Sequence, residues 1–251
     1  CDENLGGGSW WNTTRDYKNT ASTAPVALSF LRMHRVEEAH TLLMWLFDTL
    51  FDAERGVFLD GVRLIAAGSG TETTAVDPHV YTYNSGPVLG AALELAQHVT
   101  DPAQRKLWLD RAARLVHGAA REFTVEGPHG LPVLKGQGGG DAGLFTGILA
   151  RYLGEAASSS QLEPTARMTA RALVAATADA LWDGRREFDP DVDFSRPGVT
   201  AQTVDHETVA VFSPEPSRHA NDTQRTGAPV ELSTQVQAWT VLEAAALSAD
   251  R

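Results

Sequence analysis

Two adjacent tryptophans, Trp10 and Trp11, follow three consecutive glycines and lie a few residues before Lys18 and Asn19. Glycine tolerates positive φ and has no Cβ, so the backbone at this point can approach another group closely. Two indole rings are costly to leave in water unless they stack on a ligand or cover a core. Because Lys18 and Asn19 add hydrogen-bond donors, the stretch suits a neutral, polyhydroxylated ligand such as a sugar. The alternative is a rigid loop whose tryptophans close the end of a helical core.

Two further groups of polar residues precede predicted helices. Tyr83 and Asn84 form an aromatic and amide pair, which we interpret as the lining of a cleft. Asp141 follows a second glycine-rich loop, residues 136–140, where its default role is an N-cap and its alternative role is an acceptor for a substrate hydroxyl. That loop is not a phosphate loop, because no Lys-Ser/Thr pair follows it.

The remaining candidates carry weaker signals. Asp60 stands in a Phe-Leu-Asp-Gly sequence that is typical of a turn. Thr234 and Gln235 open the last predicted helix and are weak candidates for the site. The eight histidines are scattered and lack the spacing of metal ligands, so we expect neither a metal nor a cofactor.

Composition limits the class of partner. The 251 residues are 43% hydrophobic, which suffices for one sizeable core, and a single domain is the default interpretation. A formal charge of −11 argues against nucleic acid and anionic membranes, since both attract Lys and Arg. No apolar run is long enough to span a bilayer. The single cysteine, Cys1, permits no internal disulfide.

Hydrophobic periodicity predicts about seven helices. The first begins between residues 19 and 23, and the others cover about 36–51, 87–99, 101–123, 141–152, 164–182 and 232–249. The long connection 52–83 contains a possible short strand and turn at 56–62 and a loose polar stretch at 68–74. Residues 183–230 show little periodicity and predict a long irregular excursion.

The predicted helices alternate in kind. One set begins with polar or aromatic residues near Asn19, Asn84, Asp141 and Ser233 and is rich in Ala and Gly. The other set has an amphipathic stripe and a charged face. A double ring of helical hairpins requires this alternation, because inner helices crowd around an axis while outer helices face water. The unusual polar residues then gather at one end of the inner set, which is a stronger sign of function than any single residue.

Four motifs in this order resemble glycoside hydrolase family 76, which contains endo-α-1,6-mannanases. They are Gly6–Trp11, Tyr17–Thr20, Thr82–Gly86, and Asp141–Ile148 together with Arg151–Leu153. The resemblance covers most of the chain, and only residues 183–230 depart clearly from it. It implies an (α/α)6 barrel, a carbohydrate partner such as α-mannan, and retaining hydrolysis without a metal. On this resemblance, the substrate-binding residues are Trp10, Trp11, Lys18, Asn19, Tyr83, Asn84 and Asp141.

The family's catalytic motif is not found in the chain. The resemblance implies two consecutive aspartates, a nucleophile and a general acid/base, placed upstream of the glycine-tryptophan loop. No Asp-Asp dipeptide occurs in the 251 residues, and we do not assign the role to the adjacent pair Asp2 and Glu3. About seven of twelve helices, no initiator Met and no signal peptide together predict a truncated chain: the C-terminal portion of a larger barrel, inactive alone, with exposed inner faces that need a missing N-terminal part.

Two other classes of function remain open. The chain could be a non-catalytic sugar-binding or structural remnant. It could also be a different sugar enzyme with the same helical rings, such as an epimerase or an unsaturated-uronide hydrolase. Anionic uronide substrates would require several arginines near the starts of the inner helices, and the sequence does not show them.

Overall fold

Helices dominate the computed structural model of the chain, which describes residues 4–66, 72–188, 209–224 and 229–249. The helices are α1 (Thr20–Arg32), α2 (Val36–Thr49), α3 (Thr82–His98), α4 (Pro102–Glu122), α5 (Phe145–Ser158), α6 (Pro164–Asp183), the four-residue α7 (Ala220–Thr223) and α8 (Leu232–Ala249), with 3-10 turns at Asn4–Gly6 and Gly140–Leu144. The strands are β1 (Tyr17–Asn19), β2 (Phe51–Asp52), β3 (Val57–Phe58), β4 (Gly61–Ala66), β5 (Glu72–Asp77), β6 (Thr124–Glu126), β7 (Pro132–Leu134), β8 (Arg186–Phe188) and β9 (Val209–Val211).

The long helices form two layers. Helices α1, α3, α5 and α8 pack side by side in that order and make the inner layer. Helices α2, α4 and α6 each pack against the inner helix that precedes them in the chain. The predicted all-α fold is confirmed: four inner and three outer helices form part of an (α/α)6-type double ring.

Small residues bring the inner helices close together. A Cβ on Gly90 of α3 would lie 2.3 Å from the Tyr152 ring of α5, and one on Gly147 would lie 2.9 Å from the Gln237 Cα of α8. Farther along, a Cβ on Gly154 would meet Ala244 at 3.0 Å. This close packing explains why the inner helices are rich in Ala and Gly, and why α3 buries residues on all of its faces.

Two inner helices are longer than predicted. Helix α3 begins at Thr82, not near Pro87, because the Thr82 backbone N–H and hydroxyl both donate to Gln137 Oε1, at 2.9 and 2.7 Å, and so cap the helix earlier. Helix α5 continues to Ser158 instead of ending near Tyr152, because buried Leu153, Ala156 and Ala157 extend its apolar face.

The connection between α2 and α3 is more regular than predicted. The short strand and turn expected at 56–62 are present as β3 and the start of β4. The loose stretch predicted at 68–74 was partly wrong, because β5 begins at residue 72 and pairs antiparallel with β4. Residues 68–71 lie outside the described part of the chain. Strand β4 also pairs with β1, which gives a three-stranded antiparallel sheet in the order β1-β4-β5.

Part of the predicted excursion at 183–230 is ordered into short elements. Strands β8 and β9 pair antiparallel, and α7 follows them. The backbone N–H of Ala220 donates to the carbonyl of Gly184 at 2.7 Å, which returns the segment to the end of α6. Residues 189–208 and 225–228 lie outside the described part of the chain.

One face of α8 carries exposed apolar side chains. Leu232, Val236, Trp239 and Leu247 recur at helical spacing and are 41–76% exposed. An exposed stripe on the last inner helix is what an inner ring with an open edge requires. Among the described helices, none is long and apolar enough to cross a membrane.

Candidate functional site

A buried carboxylate, Asp60, joins three polar side chains where the inner helices begin. Tyr17 donates its hydroxyl to Asp60 Oδ2 at 2.6 Å, and Tyr83 donates to Oδ1 at 2.7 Å. Asn84 Nδ2 donates to the same Oδ1 at 3.3 Å. Asp60 is only 8% exposed, so its charge is stabilised mainly by these donors. Residues from β1, the connection after β3, and α3 therefore form one hydrogen-bonded group.

The backbone around Asp60 fixes the position of its side chain. The Asp60 carbonyl accepts from the first N–H of α1, on Thr20, at 2.8 Å, and the Thr20 hydroxyl donates to the Leu59 carbonyl at 2.7 Å. Gly61 follows at the point where β4 passes β1, and a Cβ there would lie 2.6 Å from both the Lys18 carbonyl and the Tyr17 ring. Only glycine fits this crossing, so it places Asp60 directly beneath Tyr17.

The two phenols bound to Asp60 stay protonated. Burial is the main cause that raises the pKa of Tyr17 far above its ordinary value, and the hydrogen bond to Asp60 and its charge add to the shift. The pKa of Tyr83 is raised for the same reasons in the same order. Both hydroxyls therefore keep their protons and act as donors to Asp60 at physiological pH.

An aromatic cluster connects the start of α3 with the start of α5. The rings of Tyr83 and Phe145 meet edge to face at 4.3 Å, and Tyr81 stacks on Tyr83 at 5.3 Å with planes 7° apart. His79 stacks in turn on Tyr81 at 6.1 Å. These contacts bring the beginnings of two inner helices together through apolar surfaces with polar edges.

The beginnings of all four inner helices share one end of the bundle, which we call the rim. Asp60 contacts the starts of α1 and α3, and Phe145 joins α3 to α5, as described above. A Cβ on Gly143, in the turn before α5, would lie 2.8 Å from the Ser233 hydroxyl at the start of α8. The starts of the four inner helices therefore lie together at one end of the bundle.

The glycine-tryptophan loop is attached to the rim through β1. Trp10 forms a β-bridge with Lys18, and the Trp11 N–H donates to the Tyr17 carbonyl at 2.9 Å. Lys18 is fully buried; its ammonium donates to the Gly7 carbonyl at 2.5 Å and lies 4.5 Å from the centre of the Trp10 ring. Trp11, by contrast, is 57% exposed, and its contact with a ligand stays a prediction.

The three glycines of this loop wrap around Trp45 of α2. All three have positive φ, and a Cβ on Gly8 would lie 2.6 Å from the Trp45 ring. The Trp45 indole N–H donates to the Leu5 carbonyl at 2.8 Å. The glycines thus allow the loop to pack closely against an outer helix.

The two asparagines predicted for the site have different local roles. Asn19 is the N-cap of α1, and its Oδ1 accepts from the Ser22 N–H at 3.0 Å. Asn84 is the third residue of α3, is fully buried, and points its Nδ2 at Asp60. Its Oδ1 is buried without a hydrogen-bond partner. An unpaired buried acceptor costs free energy, and Asn84 exposes no surface to a ligand in this structure. Contact of either asparagine with a substrate stays a prediction.

Asp141 lies on the rim but outside the Asp60 group. It is exposed in the 3-10 turn Gly140–Leu144 and is not the N-cap of α5, a position that Leu144 occupies. The loop before it is held by Glu231, whose Oε2 accepts from the Gly140 N–H at 2.7 Å. A role for Asp141 as a hydroxyl acceptor stays a prediction.

Sequence reasoning missed the centre of this arrangement. The interpretation of Asp60 as a turn former was incomplete, because its carboxylate binds Tyr17 and Tyr83. Tyr81 and Phe145 were likewise not singled out. The available signal was the position of this acidic residue directly after the apolar run Val57-Phe58-Leu59. Within the described residues, no group of His, Cys, Asp or Glu side chains could hold a metal ion.

Several solved structures are similar to this chain over nearly its whole length. An inactive variant of the α-1,6-mannanase GH76A of Salegentibacter sp. HEL1_6, in complex with α-1,6-mannotriose, is 27% identical with a TM-score of 0.74, over 98% of this chain and 64% of that chain. A second structure of that mannanase is 26% identical with a TM-score of 0.73 over the same shares. The Lin0763 protein of Listeria innocua, 23% identical with a TM-score of 0.67 over 100% of this chain and 62% of that one, supports the fold alone.

The chain thus spans less than two thirds of the length of the mannanase that it matches. No curated protein sequence matches it. The model of glycosyl hydrolase family 76 matches residues 1–207, which include the glycine-tryptophan loop, the Asp60 group and the second glycine-rich loop. The chain belongs to glycosyl hydrolase family 76.

Proposed function

We propose that the chain is the substrate-binding part of a glycosidase that acts on α-1,6-linked mannan. Family membership and the 27% identity to a mannanase crystallised with α-1,6-mannotriose support the reaction class and the glycan. The observation that carries the proposal is the rim itself. It combines the exposed Trp11, the half-buried phenol of Tyr83, whose position Asp60 fixes, and the exposed carboxylate of Asp141.

This set of groups fits a neutral sugar. Ring hydroxyls need hydrogen-bond partners, and the half-buried Tyr83 oxygen, which donates its proton to Asp60, can accept from one of them. The apolar face of a pyranose ring needs a flat partner, and Trp11 offers one. Lys18 turns its charge inward, toward the Gly7 carbonyl and the Trp10 ring, so it is poorly placed to bind an anionic group.

The carboxyl pair needed for hydrolysis is not found in these residues. A retaining mechanism requires two carboxyl groups about 5–5.5 Å apart. The mannanase is inactive when two consecutive aspartates are replaced by asparagine. The 251 residues contain no such dipeptide. We therefore propose that the acid pair belongs to inner helices outside these residues, and that Asp60 positions Tyr83 instead of attacking the glycosidic bond.

Titration calorimetry with α-1,6-mannotriose tests the proposal. We expect binding by the chain, and a loss of roughly 1–3 kcal/mol of binding free energy in Trp11→Ala, from the apolar area that the ring covers. Trp239→Ala is the matched control, because Trp239 is also largely exposed, at 70% against 57% for Trp11, but lies on α8 away from the loop. The proposal fails if the chain does not bind the trisaccharide, or if both variants bind as the unaltered chain does.

The second candidate is a sugar-binding protein without catalytic activity, which the missing Asp-Asp dipeptide favours. Both candidates predict mannotriose binding, so calorimetry does not separate them. Release of reducing ends from α-1,6-mannan distinguishes the two candidates. We expect none from these 251 residues alone, and release from a longer chain that carries the acid pair. Release by the 251 residues alone would refute the separation of binding from hydrolysis.

A further inference from the structure

The second glycine-rich loop, residues 136–140, is hydrogen-bonded to the starts of two inner helices. Near its beginning, Gln137 Oε1 accepts from both the N–H and the hydroxyl of Thr82, the first residue of α3, at 2.9 and 2.7 Å. At its end, the Gly140 N–H donates to Oε2 of Glu231, the residue directly before α8, at 2.7 Å. The loop, which leads into α5, therefore connects the starts of α3 and α8.

The tip of this loop depends on those bonds for its position. Gly138 and Gly140 have φ of +95° and +61°, and a Cβ on either would meet no described atom within 4 Å. Glycine is needed there for the backbone conformation and not for lack of space. Packing at these two residues therefore does not set the path of the loop, and the hydrogen bonds at its two ends fix it.

The residue before Gln137 is held against fixed backbone. A Cβ on Gly136 would lie 2.2 Å from the Pro214 carbonyl, so the two backbones are in direct contact. The segment that contains Pro214 is bound in turn to α8: the Phe212 N–H donates to Gln235 Oε1 at 2.9 Å, and Gln235 Nε2 donates back to the Phe212 carbonyl at 3.3 Å. Gln235, a weak site candidate in the sequence, thus has an anchoring role. Gln137 projects from a rigid stem.

Gln137 supplies the cap that α3 otherwise lacks. Tyr81, the N-cap residue of α3, makes no side-chain capping bond. Thr82 is fully buried, so its N–H and hydroxyl need a protein acceptor, and both reach Gln137 Oε1. Removing this amide would leave two buried donors unpaired and would loosen the first turn of α3.

The residue that follows Thr82 in this turn is Tyr83. Its hydroxyl donates to Asp60 at 2.7 Å, and its ring meets Phe145 edge to face at 4.3 Å. Asp60 thus holds the phenol at its oxygen, while Gln137 holds the backbone one residue away. Because the Tyr83 proton is given to Asp60, the oxygen can serve a sugar hydroxyl only as an acceptor, and this requires a fixed position.

We propose that Gln137 is a positioning residue for glycan binding. Through Thr82 it fixes the first turn of α3, and so it holds the Tyr83 oxygen where that oxygen accepts from a sugar hydroxyl. The inference rests on the proposed function and extends it to a residue that does not itself touch the glycan. Without Gln137, binding would carry the entropic cost of ordering the turn.

Calorimetry with α-1,6-mannotriose tests this role. Gln137→Leu removes the acceptor, and its affinity should be weaker by about fivefold or more, the range expected for one hydrogen bond to the ligand. Gln137→Glu keeps an acceptor oxygen and, because the ligand is neutral, should bind within about twofold of the unaltered chain. Gln97→Leu is the matched control, since Gln97 is exposed near the other end of the same helix, and it should also bind like the unaltered chain.

Tyr83→Phe separates positioning from general destabilisation. We expect this substitution alone to weaken mannotriose binding by about fivefold, because the accepting oxygen is gone. In the Tyr83→Phe background, Gln137→Leu should then change the affinity by less than about twofold, since no oxygen remains to be positioned. A purely structural role for Gln137 would instead weaken binding equally in both backgrounds.

Thr82→Val covers the case in which Gln137→Leu does not fold. It removes one of the two donors to Gln137 with little change in side-chain shape, and it should weaken binding by about threefold. Hydrogen exchange at the Thr82 amide should be faster in Gln137→Leu, whose acceptor is lost, but not in Gln137→Glu.

The outcomes distinguish the two proposals. If the unaltered chain does not bind mannotriose, the proposed function fails and the role of Gln137 with it. Suppose instead that the unaltered chain binds. The role of Gln137 alone is then overturned if Tyr83→Phe binds equally well, if Gln137→Leu and Thr82→Val both bind equally well, or if Gln137→Leu weakens binding to the same extent in the Tyr83→Phe background.

Discussion

Tyr83 donates its hydroxyl to Asp60 at 2.7 Å. This bond connects the first turn of α3 to the residue just before β4, 23 residues earlier in the chain. Asp60 makes an equivalent bond to Tyr17. The rim of the bundle is thus organised around one carboxylate that is shared by two phenols. Its geometry makes predictions that do not depend on the identity of the glycan.

Replacing the shared carboxylate should destabilise the fold. Asp60→Ala leaves the buried Tyr17 hydroxyl and the Tyr83 hydroxyl without an acceptor, and we expect the free energy of unfolding to fall by about 2–3 kcal/mol. Asp110→Ala, which removes an exposed carboxylate paired with Lys106, should cost less than about 1 kcal/mol. Urea denaturation measures both changes. Equal losses in the two variants would contradict the role of Asp60.

Stability should fall at alkaline pH because of Tyr17. Burial and Asp60 raise its pKa in the folded protein, so the stabilisation is fully present below the pKa of an unfolded tyrosine, about 10, and is lost as pH rises beyond it. Tyr17→Phe removes the titrating group. The free energy of unfolding of this variant should therefore decrease less between about pH 9 and pH 11 than that of the unaltered chain. Urea denaturation at both pH values measures the change. An equal decrease in the free energy of unfolding for the variant and the unaltered chain would exclude this linkage.

A side chain at Gly8 should destabilise the fold because it would collide with Trp45. Gly130, which has a similar φ but no close neighbour among the described residues, serves as the control for backbone strain alone. Gly8 has φ +72° and Gly130 has φ +70°, but only a Cβ on Gly8 meets other atoms, at 2.6 Å in the Trp45 ring. Gly130→Ala should cost about 1–2 kcal/mol of unfolding free energy through strain alone. Gly8→Ala should cost about 1–3 kcal/mol more, because the Trp45 ring must shift. Thermal or urea unfolding of both variants checks the difference, and an equal cost would show that the contact with Trp45 does not matter.

Asn19 offers a test that separates capping from binding. Asn19→Ala removes the acceptor for the Ser22 N–H and should cost about 1 kcal/mol of unfolding free energy. Asn19→Ser keeps a capping oxygen but removes the amide, so stability should stay nearly unchanged. If Asn19 also contacts the glycan, as the sequence predicts, Asn19→Ser should weaken mannotriose binding in calorimetry. Unchanged affinity in the serine variant would limit Asn19 to capping.

The sequence alone predicted the elements and their grouping at one end of the bundle. Apolar residues at i, i+3 and i+4 specify a helix locally, so α1, α2, α4, α6 and α8 were found within a few residues of their ends. Small residues marked the inner helices, and the four motifs predicted the family. The sequence singled out Trp10 and Trp11 as two aromatics on a glycine-rich loop, and Tyr83 and Asn84 as an aromatic and amide pair at a helix start.

Only the tertiary structure decided what these side chains contact. Asp60 lies 43 residues from Tyr17 along the chain, and Gln235 lies 23 residues from Phe212, so no local pattern relates either pair. Whether Asp60 ends a turn or carries a buried charge depends on which donors reach it after β1, β4 and α3 pack together. Hydrogen bonds between distant residues are chosen by that packing, because a polar group removed from water must bind whatever partner the neighbouring elements supply.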